Sequence, residues 1–343
     1  MRLLIGCVAA LFAGGCIVAP QTAAAAGGAT QFRNPIRERG ADPSVVRHGK
    51  DYYLAFSLGG IWIAKARTLD GLAEPETQKQ AWTPPGSGPG CCNVWAPELQ
   101  RIGKRYYIYF AADDGRNEHH RMYVLESAGD DPLGPYAFKG EVKTPGDRWA
   151  IDGAVLEHKG ALYFVWSGWE GETNVEQRLY IVAMSDPLTI SGERHEISRP
   201  DQDWERRVGN PFVNEGPQPL QHGGRSFIAY SANGSWSDAY CLGLLTLEGE
   251  DPLTGPWRKS AGCVFAQAPH AYGPGHNSFV KSPDGREDWI VYHANYDSGT
   301  GWSGRDVRAQ RFAWKPDGTP DFGRPADPDQ PLRRPSGEGP PRK

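Results

Sequence analysis

Gly103-Lys104-Arg105-Tyr106-Tyr107-Ile108-Tyr109-Phe110 is a polar turn followed by a short aromatic and β-branched run. The same pattern begins at residues 49, 159, 223 and 284, so that five copies are spaced about 60 residues apart. Glycine at a turn with β-forming residues after it is typical of the second strand of a hairpin. No sustained helical period lies between the copies. The repeat therefore predicts an all-β fold, a single-domain five-bladed β-propeller, because an irregular β-sandwich would not produce five copies of one hairpin.

A second repeat supports this interpretation. The stretches at 131–136 and 251–257 both contain Asp-Pro-Leu followed by Gly-Pro and an aromatic residue, and Ser185–Leu188 is a shortened third copy. Proline cannot interrupt a central ladder, so we place these stretches in turns between the later strands of each unit. Residues 306–314 are expected to form a closing strand. We assign 27–324 to the propeller and 325–343 to a loose tail rich in proline and charge.

The charge balance excludes one class of function. The chain has 343 residues, with 37 Lys and Arg against 41 Asp and Glu, and a net charge of -4. No basic excess exists to neutralise phosphates, so we expect no nucleic-acid partner. Aromatic residues make up 11% of the chain, and this fraction is too high for a disordered protein.

The first 26 residues are typical of a secretory signal peptide. Arg2 precedes an apolar run from Leu3 to Val18, and Ala23–Ala26 supply small residues for cleavage. The run is short for a bilayer span, and we expect a secreted protein with no membrane span. The alternatives are a stable membrane anchor and a lipoprotein attached through Cys16.

Export leaves four cysteines, which allow three pairings. Cys241 and Cys263 flank one short stretch, so we prefer a local bridge between them. That choice leaves Cys91 and Cys92 as a pair of adjacent cysteines in a strained ring. A zinc site is disfavoured because no C-x-x-C or H-x-x-x-H spacing occurs.

Unusual polar residues precede each repeated turn at similar distances. The first strand of a propeller blade lies nearest the central axis, so matched positions converge at one end of the channel. Each acid alone would be equally well explained as the cap of a turn. Their shared position instead favours one pocket. The matched residues are Asp42, Ala96 within Trp95-Ala96-Pro97-Glu98, Asp152, Glu215 and His276.

Carboxylates in such a pocket suit glycoside hydrolysis. One carboxyl must be protonated to give its proton to the leaving oxygen, and another must be ionised to activate water. A third carboxylate nearby can raise the pKa of the acid and hold it in position. Flat aromatic rings pack on the C–H faces of sugars, and among them Trp95 is the candidate for substrate binding.

With these motifs in place, residues 34–323 resemble glycoside hydrolase family 43, whose five-bladed propellers cleave arabinose- and xylose-containing polymers. The resemblance implies that Asp42 is the general base, Glu215 the general acid, and Asp152 the residue that tunes the pKa of the acid and orients it. It also implies that Trp95 lies beside the sugar and that Arg308 approaches the sugar and the acid. His276 would help to hold a structural ion, commonly calcium, through waters.

Two stretches resemble one group of enzymes within this family more than the others. Residues 92–98 and 234–241 are similar to exo-acting α-L-arabinofuranosidases that trim α-1,5-linked arabinan. Inversion would then be expected, with the acid and base roughly 6.5–9.5 Å apart. Further loop residues could contact sugar or serve only as structure: Asp114, Trp166, Trp169, Asn174 and Trp236.

Rival functions remain open at this point. A β-xylosidase or an endo-α-1,5-arabinanase would use the same carboxylates, and a non-catalytic carbohydrate-binding propeller belongs to another class. We expect a monomer that acts on an arabinose-containing polysaccharide or oligosaccharide. The chemistry requires no redox cofactor or nucleotide, and no motif for either is present.

Overall fold

The computed structural model describes residues 30–339. The signal peptide expected at 1–26 and the lipidation alternative at Cys16 lie outside these residues. Strands dominate the described part of the chain, and its helical segments are single 3₁₀ turns at Asp70–Ala73, Asn117–His119, Asp203–Glu205 and Gly301–Gly304. Among residues 30–339, no helix combines the length and apolarity that a membrane span requires.

Five antiparallel sheets follow one another along the chain. The first contains β2 (Ser44–His48), β3 (Asp51–Ser57), β4 (Ile61–Ala66) and β5 (Thr77–Trp82), after a short β1 (Gln31–Phe32). The second contains β6 (Cys92–Ile102), β7 (Arg105–Asp113), β8 (Arg121–Ser127) and β9 (Tyr136–Glu141). The third contains β10 (Ala150–His158), β11 (Ala161–Trp169) and β12 (Glu176–Asp186), with β13 (Thr189–Ile190) and β14 (His195–Ser198) both paired to β12.

The last two sheets repeat this order. The fourth contains β15 (Phe212–His222), β16 (Arg225–Ala232), β17 (Cys241–Leu247) and β18 (Trp257–Lys259). A short parallel pairing of β12 with β15 joins it to the third. The fifth contains β19 (Tyr272–Lys281), β20 (Asp288–Asn295), β21 (Arg305–Trp314) and β22 (Pro320–Asp321), and β23 (Leu332–Arg333) follows it. The five repeated runs of the sequence form the second strands β3, β7, β11, β16 and β20, as predicted. The Asp-Pro-Leu turns also lie between later strands of sheets two, three and four.

The first strands of the sheets make a closed series of contacts. Strand β2 contacts β6, β6 contacts β10, β10 contacts β15, β15 contacts β19, and β19 returns to β2. Side chains of one first strand serve the backbone of the next: the hydroxyl of Ser44 accepts from the N–H of Leu99 at 2.8 Å. The hydroxyl of Ser278 likewise accepts from the N–H of Val45 at 3.0 Å. These strands therefore surround a common axis, and residues at their ends face one another.

Large aromatic side chains fill the space between neighbouring sheets. Between the second and third sheets, Phe164 packs against Tyr109 and Trp166 with ring centroids 5.5 and 5.9 Å apart, and all three are fully buried. Burying such rings supplies most of the energy that holds one sheet to the next. Most of the tryptophans and tyrosines of the chain are thus core residues, and only a minority remain exposed.

The described part of the expected tail, residues 325–339, is docked, which corrects the expectation that this part is loose. Strand β23 pairs with β1, so that Leu332 lies opposite Phe32. Leu332 packs against the apolar core that includes Phe32 and Trp289. Arg334 forms an ion pair with Asp70, and a carboxylate oxygen of Glu338 accepts from the N–H of Leu69 at 3.0 Å. A proline-rich composition leaves few backbone donors, but these side chains supply the contacts that hold the segment.

Both disulfides form as preferred from the sequence. Cys241 at the start of β17 is bonded to Cys263, and Cys91 is bonded to its neighbour Cys92 just before β6. The first bridge ties the fourth sheet to the loop that leads into the fifth. The second lies three residues before Trp95.

Candidate active site

A kink within each first strand, or just before it in the case of Asp42, places one residue at the axis. In four sheets the strand register slips at this point, as in a β-bulge. The residue at the kink has a left-handed backbone in all five sheets, with φ of 49° at Asp42, 40° at Ala96, 57° at Asp152, 56° at Gly216 and 42° at His276. This conformation is unfavourable for residues other than glycine and is concentrated at functional sites.

The structure corrects the position of Glu215 within this repeat. The residue equivalent to Asp42 and Asp152 is Gly216, and Glu215 precedes it and pairs with Ser231 on β16. A Cβ on Gly216 would lie 3.2 Å from the imidazole of His276, so glycine also keeps the axis uncrowded. The sequence count placed Glu215 at the shared position and was wrong by one residue. The carboxyl nevertheless faces the same cleft.

One cleft of about 450 Å³ brings most of the predicted residues together. Asp42, Asp152, Glu215, His276 and Trp95 all line it, and so do residues from the loops above the sheets. The additional lining residues are Ala96, Asn117, Trp149, Ile151, Asn174, Gln177, Pro211, Ser235, Trp236, Trp302 and Arg305.

Asp42 is surrounded by groups that favour its ionised form. Its Oδ1 lies 3.4 Å from Nδ1 of His276, 3.3 Å from Nδ1 of His293 and 3.4 Å from Nη1 of Arg305. Burial of the carboxyl opposes ionisation, but these neighbours together outweigh it and hold the pKa of Asp42 well below its usual range. Asp42 is therefore a carboxylate over the whole range in which the protein would work.

Asp152 and Glu215 have the opposite tendency. Burial is the largest cause that raises the pKa of each, and the favourable charge of His276 only partly offsets it. Each also lies close enough to other carboxylates for their repulsion to raise its pKa further. Oδ2 of Asp152 accepts a hydrogen bond from the N–H of Gly216 at 3.0 Å, which fixes the strand that carries Glu215. Glu215 is therefore suited to hold a proton.

His276 supplies a positive charge at the centre of the axis. Its Nε2 lies 2.9 Å from Oε1 of Glu98, and its Nδ1 faces Asp42 and Asp152 at 3.4 and 4.0 Å. Burial of the ring disfavours the proton, but these three carboxylates outweigh that cost and raise the pKa of His276 to about 10. The ring is thus an imidazolium at neutral pH.

This protonated ring does not fit the calcium ion expected near His276. An imidazolium has no lone pair to bind a metal or to accept a hydrogen bond from a metal-bound water, and its two N–H groups are directed at carboxylates. Within residues 30–339, no three His, Cys, Asp or Glu side chains are grouped so as to hold a metal ion. The charge that a cation would supply is provided here by His276 itself.

Aromatic rings form the walls and mouth of the cleft. Trp95 is 38% exposed and stacks on His120 with ring centroids 3.9 Å apart. Trp149 stacks on Trp169 with ring centroids 4.9 Å apart, and it lines the cleft. Trp236 and Trp302 meet edge to face at 6.0 Å and are both exposed. The rings offer apolar faces to a sugar on several sides.

Arg308 does not belong to this cleft, and the role predicted for it was wrong. Its guanidinium is completely buried, donates from Nε to Oδ1 of Asp306 at 2.6 Å, and bonds to the carbonyl of His270. Strand alternation alone cannot tell which arginine at the start of β21 faces the axis. Arg305, three residues earlier, faces Asp42 instead.

The loop residues considered as possible sugar contacts divide into those that line the cleft and those that do not. Asn174 and Trp236 line the cleft. Trp166 and Trp169 are buried on β11, where Trp169 supports Trp149 from behind. Asp114 pairs with His119 outside the cleft.

Sequence reasoning missed two buried side chains that act on the carboxyls. The hydroxyl of Tyr240 donates to Oε1 of Glu215 at 2.8 Å, and Tyr240 stacks on His293 with ring centroids 5.6 Å apart. Burial lowers the pKa of His293 to about 4, so this ring is neutral. The sequence feature that could have revealed His293 is its place directly after the apolar run Trp289–Tyr292 of the fifth repeat.

Known proteins resemble this chain along most of its length. Residues 32–320 match the family described as glycosyl hydrolases family 43. The chain is 39% identical to an extracellular exo-α-(1→5)-L-arabinofuranosidase of Streptomyces avermitilis, over 88% of this chain and 65% of that protein. It is 36% identical to the protein of the same name from Streptomyces chartreusis, over 85% of this chain and 90% of that protein.

A solved structure agrees with these similarities. The crystal structure of an α-L-arabinofuranosidase from Lactobacillus brevis superposes with a TM-score of 0.80 and 33% identity, covering 87% of this chain and 98% of that one. The chain spans just under two thirds of the S. avermitilis relative, which therefore contains residues with no counterpart here.

Proposed function

The chain belongs to glycosyl hydrolase family 43, and we propose that it removes terminal α-L-arabinofuranosyl units from arabinan or arabino-oligosaccharides. The α-1,5 linkage is supported by the two Streptomyces relatives, whose names specify exo action on that bond. Those names also include the word extracellular, which supports secretion through residues 1–26. The five sheets and their closed series of first-strand contacts support the five-bladed β-propeller.

One observation carries the proposal: two carboxyl groups of a single cleft have pKa values displaced in opposite directions. The pKa of Asp42 is lowered and that of Glu215 is raised. A pair of this kind divides the work of glycoside hydrolysis between a base and an acid. A sugar-binding protein without catalysis would gain nothing from this difference.

The reaction follows from these two roles. Asp42 takes a proton from a water molecule as the water oxygen attacks the anomeric carbon. Glu215 gives its proton to the glycosidic oxygen as the bond to the anomeric carbon breaks. One displacement inverts the configuration of that carbon, so an α-linked unit leaves as the β-anomer. Asp152 keeps Glu215 in position through Gly216, and the repulsion between the two carboxyl groups favours a proton on the pair.

The mouth of the cleft supports exo action. Trp236 follows β16 in the fourth sheet and Trp302 precedes β21 in the fifth, and their edge-to-face contact joins the two loops. Nε1 of Trp302 also donates to the hydroxyl of Ser235 at 3.0 Å. A bridge of this kind across one side of the cleft would limit the passage of a long polymer, whereas an endo enzyme requires an open groove.

Product analysis tests the proposal. The protein is incubated with linear debranched arabinan and with xylan, and the products are followed by NMR from the earliest time points. Arabinose alone, released first as the β-anomer, is the expected result. A ladder of oligosaccharides would indicate endo action, and xylose released from xylan would indicate that the enzyme cleaves xylosyl rather than arabinosyl units. No product from either polymer, with binding intact, would overturn the assignment as an enzyme.

A further inference from the structure

A second pocket of about 390 Å³ adjoins the cleft on the side of Asp42. The two share Asp42, Trp95, Trp302 and Arg305 as a common wall, but Asp152, Glu215 and His276 do not line the second pocket. The second pocket therefore shares the proposed base with the cleft but not the proposed acid. The rest of its lining is Arg37, Arg39, Gly40 and Ala41, then Leu54, Phe56 and Ser57 of β3, and Ser303 and Val307.

The second pocket is strongly cationic. Arg37, Arg39 and Arg305 line it, and Asp42 is its single acidic side chain. Asp42 is already engaged with Arg305 and with the rings of His276 and His293. In the described part of the chain, neither Arg37 nor Arg39 has an ion-pair partner. Two guanidinium charges therefore face the pocket without a carboxylate to balance them.

Arg37 is held in place without being neutralised. Its guanidinium lies over the ring of Phe56, 4.1 Å from the centroid, and Nη1 is 3.5 Å from the carbonyl of Leu72. Most of its N–H groups have no protein acceptor. Burial lowers the pKa of Arg37, which is the behaviour of a cation withdrawn from water with no anion beside it.

The backbone that carries these arginines is fixed. The N–H groups of Ile36 and Arg37 bond to the carbonyl of Val307, and that of Gly40 bonds to the carbonyl of Arg305. A Cβ on Gly40 would lie 2.6 Å from Cγ2 of Val307, so the segment is pressed against β21. The arginines are thus presented from a rigid edge, which reduces the entropy lost when a ligand binds.

We propose that this second pocket binds the carboxylate of a uronic acid unit of an acidic polysaccharide. Guanidinium groups pair with carboxylates through two parallel hydrogen bonds, and Trp302, 61% exposed at the rim, offers a face for a sugar ring. The inference rests on the proposed function for its ligand class, a carboxylated sugar of the polysaccharide on which the enzyme would act. It gives the enzyme a preference for arabinose carried on acidic chains.

Calorimetric titration of the full protein with D-galacturonate tests the proposal, with D-galactose and sulfate as the neutral and inorganic probes. We expect galacturonate to bind and galactose not to bind. Arg39→Gln and Arg37→Gln should each weaken galacturonate binding roughly tenfold, since each removes one charge-assisted contact. Arg258→Gln, on the outer strand β18, is the matched control and should bind as the wild type does. Equal binding of galactose, equal binding of sulfate, or unchanged binding by Arg39→Gln would each overturn the proposal.

Hydrolysis of p-nitrophenyl α-L-arabinofuranoside is measured on the same samples. Arg39 is exposed and lies outside the catalytic cleft, so Arg39→Gln should leave this hydrolysis unchanged and thereby show a folded protein. An inactive wild type would contradict the proposed function, whereas the calorimetry would still decide whether the second pocket binds a uronate.

Discussion

The hydroxyl of Tyr240 donates a 2.8 Å hydrogen bond to Oε1 of Glu215, the carboxyl that must hold a proton for catalysis. A donor of this kind stabilises the ionised form and lowers the pKa of the carboxyl, against the larger effect of burial. The protein therefore sets the strength of its acid by two opposed interactions on one side chain.

Tyr240→Phe removes the hydroxyl and keeps the ring stacked on His293. The pKa of Glu215 should rise, because its ionised form loses a donor. Activity that requires protonated Glu215 is lost as the pH rises through this pKa, so the alkaline limb of kcat/KM should move to higher pH. Tyr292→Phe, which removes a buried hydroxyl bonded to Gln310, is the control. A limb that stays in place or moves down would contradict this role of Tyr240.

Glu215→Ala should separate substrates by their leaving groups. Turnover of arabino-oligosaccharides should fall about 10²–10⁴-fold, since the departing oxygen needs a proton. An aryl arabinofuranoside with an acidic phenol needs little protonation and should lose far less. Steady-state kinetics on both substrates provide the measurement. Equal losses on the two would remove Glu215 from the role of acid.

Asp42→Ala should impair both kinds of substrate, because activation of water does not depend on the leaving group. Azide attacks without losing a proton, so added azide should restore turnover of the aryl substrate and give the β-arabinofuranosyl azide. NMR of the product identifies its configuration. Near wild-type rates, or an azide of retained configuration, would show that Asp42 is not the base of a single displacement.

The two arginines at the start of β21 should respond differently to replacement. Arg305→Met should weaken substrate turnover and leave the melting temperature near that of the wild type, since its side chain faces the cleft. Arg308→Met breaks the ion pair between a fully buried guanidinium and the partly buried Asp306, and should cost about 3–5 kcal/mol of folding free energy. Thermal unfolding and kinetics of both variants separate the roles. A normal stability for Arg308→Met would restore it as a candidate for the site.

Removal of divalent ions should leave the enzyme active. The centre of the axis is occupied by the protonated ring of His276 and its bonds to carboxylates. Dialysis against EDTA, followed by assay and thermal unfolding, should therefore change neither rate nor stability. A loss that calcium reverses would show that His276 releases its proton to make room for an ion.

The sequence predicted the five hairpins and three acidic residues because both depend on short, repeated patterns. Asp42 and Asp152 were placed by counting back from each turn, which works where the turns have equal length. Glu215 was misplaced by one residue, because it lies ten residues before Arg225, whereas the nine-residue spacing of the first three repeats falls on Gly216, which takes the left-handed backbone of the kink. The carboxyl was preferred to the glycine for its chemistry, although the spacing favoured the glycine.

The remaining errors involve contacts between distant parts of the chain. Arg305 and Arg308 lie on one strand, and only the packing of β21 decides that the first faces Asp42 and the second Asp306. The tail was expected to be loose because its composition is poor in β-forming residues. Its pairing with β1, about 300 residues away, depends on where the ends of the fold meet.

The left-handed kink that recurs within or just before all five first strands provides five positions with one backbone geometry around a common axis. Each has the same backbone geometry, yet they carry Asp, Ala, Asp, Gly and His. A new reactive group could therefore be introduced by changing a single side chain, with no rebuilding of the strand beneath it. Ala96 contributes only a methyl group at its position and lines the cleft. It is the position at which a different reactive side chain could be added to this scaffold.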